Sequence, residues 1–139
     1  MHQQRGRLLL VDGNAARAQH LASRLSSFGF DIEVVDNGAV GLLKAHDVHP
    51  DVVVAAAQTP VLNGFLLLQA LREDARTSKI PVILVTEGSS QKELTRGWEA
   101  GADLCVPMNL GEADVVSMLR RALQSVRPAA ASPALALAS

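Results

Sequence analysis

One cysteine, Cys105, among 139 residues leaves no partner for an intrachain disulfide and no second thiol for a cysteine-based metal centre. The four histidines, His2, His20, His46 and His49, fall at no spacing that a metal would require, so they read as surface residues and no metal or other cofactor is expected. Tyrosine is absent and aromatic residues make up only 3% of the chain, which leaves alanine, valine and leucine to fill the core. Neither sign of charge prevails: 13 Lys and Arg face 14 Asp and Glu, with basic residues gathered only at Arg5-Gly6-Arg7 and Arg120-Arg121. Nothing therefore drives the chain toward nucleic acid or an anionic membrane surface. No stretch approaches the roughly 18 unbroken apolar residues of a spanning helix. No N-terminal run joins a basic start to an apolar centre and a small-residue cleavage site. The expectation is a cytoplasmic protein with neither membrane nor nucleic-acid contact.

What is present is a regular alternation. Leu8-Leu9-Leu10-Val11, Ile32-Glu33-Val34-Val35, Val52 to Ala56, Val82-Ile83-Leu84-Val85 and Leu104-Cys105-Val106 are short apolar runs that predict strands. The first, third and fourth are continuously apolar, as central strands covered on both faces must be, while Asp31 and Glu33 mark the second as an edge. Segments of helical period lie between them. Asn14 caps the first, Ala18, Leu21, Ala22, Leu25 and Phe28 form its inward face, and Gly29 ends it. Others are predicted at about Ala39 to His46, Gly64 to Ala75, Ser90 to Ala100 and Glu112 to Val126. In the last, Val115, Val116, Leu119, Ala122, Leu123 and Val126 face inward, with acids at its start and arginines at its end to suit the helix dipole. The length suits one domain with a real core. From Pro128 to Ser139 two prolines and no periodic face predict a flexible tail, in which Leu135 and Leu137 could still serve docking.

Five such β-α units resemble the α/β flavodoxin-like fold, a doubly wound five-stranded parallel sheet with strand order 2-1-3-4-5 and ligands at the carboxyl ends of its strands. Leu9-Leu10-Val11-Asp12, Asn37-Gly38, Pro50-Asp51, Pro60, Gly64, Pro81-Val82-Ile83-Leu84-Val85-Thr86 and Gly101-Ala102-Asp103 occur in order. Over residues 6 to 127 they make the chain similar to the response-regulator receiver domain. That resemblance implies a phosphoacceptor aspartate at the end of the third strand, and the position holds Ala56. Pro50-Asp51 upstream and Pro60 and Gly64 downstream fix the frame, so no gap can slide an acid into place.

Other parts of the implied device are missing too. Two acids should follow the first strand to help hold a divalent cation, but the chain reads Asp12-Gly13, leaving one carboxylate of three, so metal binding is expected to be very weak or absent. Asp12 then reads as a polar residue capping the next turn. Thr86 matches the family's phosphoryl-binding hydroxyl, yet Glu87 stands where a small residue normally keeps the pocket open. Glu87 would repel phosphate, and near Asp12 the two carboxylates would raise one another's pKa. Met108 occupies the place of the family's lysine and cannot pair with phosphoryl oxygens. Cys105 replaces the aromatic of the family's switch. Trp98, three residues before Gly101, is expected in the core.

A scaffold kept while acceptor, second acid, lysine and aromatic are lost implies a stand-alone pseudo-receiver that needs no phosphorylation and acts through protein–protein interaction, as adaptor or decoy, in bacterial signal transduction. No DNA-binding segment is read after residue 127, so transcription control is not expected. The resemblance points to helix 4, strand 5 and helix 5 as a partner or homodimer face, carrying Lys92, Glu93, Arg96, Asp103, Cys105, Asp114, Met118 and Arg121. The competing reading is a small-molecule sensor using the vacated cleft around Asp12, Ala56, Thr86 and Met108. An enzyme is not expected: there is no Ser/His/Asp set, no Gly-rich phosphate loop and no paired acids. Cobalamin and flavin carriers share the fold type, but the chain lacks the histidine motif of the first and the Ser/Thr-rich loop of the second.

Overall fold

The computed structural model describes residues 6–88 and 91–126. The predicted tail, His2 and the start of the fourth helix at Ser90 lie outside them. Five strands, β1 (Gly6–Val11), β2 (Phe30–Val35), β3 (Val52–Ala56), β4 (Val82–Thr86) and β5 (Leu104–Pro107), form one parallel sheet in the order β2-β1-β3-β4-β5. The helices are α1 (Ala15–Ser26), α2 (Gly38–Val48), α3 (Gly64–Glu73), α4 (Gln91–Ala100) and α5 (Glu112–Leu123), with a single 3-10 turn at Met108–Leu110 ahead of α5. This is the flavodoxin-like (βα)5 architecture in the expected strand order. No described helix is long and apolar enough to cross a membrane.

Alternation of side chains along each strand divides the core into two layers. Leu9, Val11, Val53, Ala55 and Leu84 pack with Leu67, Leu68 and Leu71 of α3 on one face. Leu8, Leu10, Val54, Ile83 and Val85 pack with Leu21 and Leu25 of α1 and Leu119 and Leu123 of α5 on the other. Each fully buried leucine contributes about 1.5–3 kcal/mol relative to exposure, so aliphatic side chains suffice where aromatics are scarce. β3 and β4 are buried throughout, whereas β2 exposes Asp31 and Glu33.

Three helices start the same way. Asn14, Asn37 and Asn63 each accept a hydrogen bond through the side-chain oxygen from the backbone N–H three residues on, at Arg17, Val40 and Leu66, satisfying a donor that the helix start leaves unpaired. Lower in the molecule, Arg72 on α3 donates to the carbonyls of Ser78, Ile80 and Gly101 and to the Asp103 carboxylate. One guanidinium thereby ties α3 to the connections entering β4 and β5.

Two expectations need correction. Trp98 is 51% exposed, not in the core. The position of α4 that faces the sheet is Gly97, where an added Cβ would lie 2.5 Å from the Cys105 thiol and 3.1 Å from Leu84, and the next residue turns about 100° away into solvent. The second concerns helix ends: α5 stops at Leu123 and α3 at Glu73. Beyond α3, buried Thr77 donates its hydroxyl to the Leu71 carbonyl, closing the helix before Ala75.

Gly38 begins α2 against the β3–α3 loop. Its N–H donates to the Pro60 carbonyl at 3.3 Å, and a Cβ there would lie 1.7 Å from the Leu62 carbonyl oxygen. Although alanine is the better helix former, Gly38→Ala is expected to cost about 1–3 kcal/mol through overpacking against backbone. Gly88→Ala, with open space around its Cβ, should stay within about 0.5 kcal/mol. Urea unfolding of both variants checks the pair.

Candidate functional site

The carboxyl ends of β1, β3, β4 and β5 place the sequence-predicted site residues on one edge of the sheet. Asp12, first after β1, is 2% exposed. Its N–H donates to the Val35 carbonyl, and its carboxylate accepts from the Asn14 N–H at 2.9 Å, the turn-capping role read from the sequence. The same carboxylate also receives two bonds from Arg17, Nε to Oδ2 at 2.7 Å and Nη2 to Oδ1 at 2.8 Å. This bidentate fork is the strongest geometry available to a carboxylate.

Arg17 was not singled out in the sequence, yet a signal was there. It lies in the first turn of α1, where the helix dipole disfavours a cation and where that helix has no acid. An unfavourably placed charge points to a partner strong enough to hold it. Hydrogen bonding to that partner, Asp12, raises the Arg17 pKa, outweighing the opposing effect of burial, and Glu87 adds to it. Arg17 Nη1 lies 3.5 Å from Glu87 Oε1. The expected mutual repulsion of Asp12 and Glu87 is thus corrected: a guanidinium stands between the two acids.

Gly13, at the position implied for a second metal-binding acid, lies under the β3–α3 loop. A Cβ there would come 2.5 Å from Pro60 Cδ and 3.3 Å from the Asp36 carbonyl, so any side chain requires the loop to move. Ala56 ends β3 opposite Val85 of β4 and is 4% exposed. Thr86 is fully buried and donates its hydroxyl to the Gly88 carbonyl at 2.9 Å, while Glu87 is half-exposed. Met108 is half-buried and packs on the α1 and α5 core layer. The structure therefore gathers Asp12, Glu87 and Arg17 into one ionic cluster, sets Gly13 against Pro60 and rests Met108 against the α1 and α5 core layer. Cys105 lies beneath α4 with its thiol 3.9 Å from the Leu94 carbonyl, and burial pushes its pKa up.

The eight residues of the expected interface divide: Cys105 is buried and Glu93 half-buried. Lys92, Asp114 and Arg121 are exposed. Arg96 stacks on the Phe65 ring at 4.2 Å, and Asp103 accepts from Arg72 at 2.9 Å and from the Val82 N–H at 2.8 Å. Met118 and Arg121 border a groove of about 510 Å³ together with Leu104 and Val126.

An α/β module of the flavodoxin-like class, with its polar residues collected at the strand ends, is what this geometry defines. The model of the response regulator receiver domain matches residues 8–120, and the chain belongs to that family. It is a receiver domain of bacterial two-component signalling. Protein PilH of Pseudomonas aeruginosa is 35% identical over 96 residues, 69% of this chain and 79% of PilH. The DNA-binding dual master transcriptional regulator RpaA of a Synechocystis strain is 31% identical over 119 residues, 83% of this chain and 49% of RpaA. The chain thus spans about half the length of that regulator. Among solved structures, the signal receiver domain of a signal transduction histidine kinase from Syntrophus aciditrophicus superposes with a TM-score of 0.76 at 28% identity, covering 87% of this chain and 92% of that one.

Removing one member of a buried ion pair strands the other. Because Arg17 keeps about a fifth of its side chain in solvent, Arg17→Ala is expected to cost about 2–3 kcal/mol, below the roughly 3–5 of a fully buried pair. Combined with Asp12→Ala, the double variant should lose less than the sum of the two. A coupling of about 1–3 kcal/mol in a double-mutant cycle of urea unfolding is the expected reading.

Proposed function

We propose that this chain is a pseudo-receiver that works without phosphorylation, transmitting or intercepting a signal by protein–protein contact as an adaptor or decoy. The observation that carries this reading is the pairing of Ala56 with the Asp12–Arg17 fork. A methyl group stands where a phosphoacceptor carboxylate is expected, and the remaining acid already has a resident cation. Magnesium requires hard oxygen ligands in near-octahedral array. Asp12 offers one carboxylate, Gly13 adds none, and a positive guanidinium at 2.7–2.8 Å opposes an approaching divalent ion. Thr86 is bonded to Gly88, and the half-buried, uncharged Met108 supplies no cation for a phosphoryl group.

Output then belongs to the surface. The face formed by α4, β5 and α5 carries exposed Lys92, Asp114 and Arg121, the last beside a groove that Met118 also lines. Its mixed charge suits a protein partner or a second copy of the chain. Asp103 and Arg96 have internal partners and contribute less.

An amide-resolved NMR titration with magnesium, and then with beryllium fluoride as an acyl-phosphate mimic, tests the reading. Amides of Asp12, Ala56 and Thr86 should show no saturable shift, and incubation with acetyl phosphate should add no phosphoryl mass. Ala56→Asp alone should not restore magnesium binding, because Arg17 and the Pro60 loop remain. Saturable shifts in the native chain that spread to Cys105 and α4 would replace this reading with that of a ligand sensor.

A further inference from the structure

The sequence of α2, Gly-Ala-Val-Gly-Leu-Leu-Lys-Ala-His-Asp-Val, is apolar on nearly every side. A helix of that kind is ordinarily surrounded. Only Gly38, Gly41 and Ala45 are buried against the domain. On the outward face Val40 is 38% and Leu43 69% exposed, three residues apart and so side by side. Val40 also shares with Val34 of the edge strand, itself 43% exposed, a groove of about 590 Å³ between α1 and β2.

The β3–α3 loop extends this surface. Pro60 and Leu62 both touch Gly38, two residues before Val40. Between them Val61 is held at φ 69° by a three-residue turn, in which the Leu62 N–H donates to the Pro60 carbonyl at 2.7 Å. A β-branched residue at positive φ costs of order 1–3 kcal/mol, and this one presents an apolar side chain that is 84% exposed. Val34, Val40, Leu43 and Val61 are therefore exposed apolar side chains of β2, α2 and the β3–α3 loop, the first two lining one groove.

The border of this surface is acidic. Asp36 and Asp47 are exposed at either end of α2, and Glu33 is half-exposed beside it. Lys44, on this helix's flank, is already held by Glu33 at 2.8 Å and is also drawn by Asp47. A second copy docked here about a two-fold axis would set acidic border against acidic border, which disfavours self-association. The complementary occupant has an apolar stripe and basic flanks.

We propose that the α2 face, from Val34 across Val40 and Leu43 to Val61, docks an amphipathic helix of a partner protein, with apolar anchors on these side chains and Lys or Arg residues against Asp36 and Asp47. This is the helix-in-groove mode of recognition. It is independent of the α4, β5 and α5 face considered above, since it lies at the opposite edge of the sheet, and it holds whether or not that face binds.

The test uses the full chain and a displayed library of helical peptides with leucine fixed at heptad a and d positions and Lys, Glu, Ser and Gln varied elsewhere. Recovered peptides should be enriched in lysine beside the apolar stripe and should shift amides at Val34, Val40, Leu43 and Val61. Leu43→Asp, exposed and so compatible with folding, should weaken them by about tenfold or more. Asp36→Asn combined with Asp47→Asn should weaken them less, and added salt should reduce the difference between native chain and this variant. The proposal is overturned if no peptide is enriched, if the recovered peptides are acidic, if Leu43→Asp binds them unchanged, or if the shifts fall on α4 and α5. Self-association abolished by Leu43→Asp would also overturn it, in favour of a second copy.

Discussion

A carboxylate taken out of water must meet a cation or give up its charge, and at the end of β1 this requirement is met from within the chain. Asp12 is almost fully enclosed, and the Arg17 guanidinium closes both of its oxygens while reaching toward Glu87 on the opposite loop. The placement opposes the dipole of α1, an effect worth about 0.3–1 kcal/mol, and it persists because charge-assisted bonds to a buried acid are worth more. Much of the upper edge follows. With the acid neutralised locally, Gly13 can lie under Pro60, the β3–α3 loop can settle onto Gly38, and the loop after β4 has an ionic tether to α1. Polar groups that would otherwise await a charged ligand are occupied by their own neighbours.

Most of the scaffold could be read in the sequence because each strand is short, apolar and bounded by turn residues, and because Asn14 announces the first helix; the matching caps at Asn37 and Asn63 emerged with the structure. The identity of the residues at Ala56, Gly13 and Met108 could be read for the same reason: fixed prolines and glycines left no freedom in the frame. What the sequence concealed depends on contacts between distant segments. Arg17 and Glu87 are 70 positions apart, and nothing local announces that they pair. Trp98 misled because the matching family position, three before Gly101, implies a packed apolar residue, while the helix phase here is set by the close approach of Gly97 to Cys105. Asp103, which looks free on the chain, is committed to Arg72 and to a strand amide. Val61 was hidden for another reason: a valine carries no sequence sign that its backbone will enter a region usually left to glycine.

The molecule distributes order unevenly. Its lower half is fastened by Arg72, whose bonds to three carbonyls and one carboxylate leave little freedom between α3 and the entries to β4 and β5. Its upper edge carries the ionic cluster of Arg17 with Asp12 and Glu87, and loop packing against Gly13 and Gly38. A partner binding near that edge would meet a surface shaped by side chains and strained backbone, on a base that does not yield.

Cys105 gives this arrangement an internal clock. It is the chain's single thiol, it lies under Gly97 with its reactive form disfavoured by burial, and a thiol must be exposed and ionised to be alkylated. While α4 is seated, burial of the sulfur disfavours its reaction. Each time the helix lifts, the sulfur becomes available, so the rate at which a thiol reagent consumes the protein counts those openings without any label having been introduced.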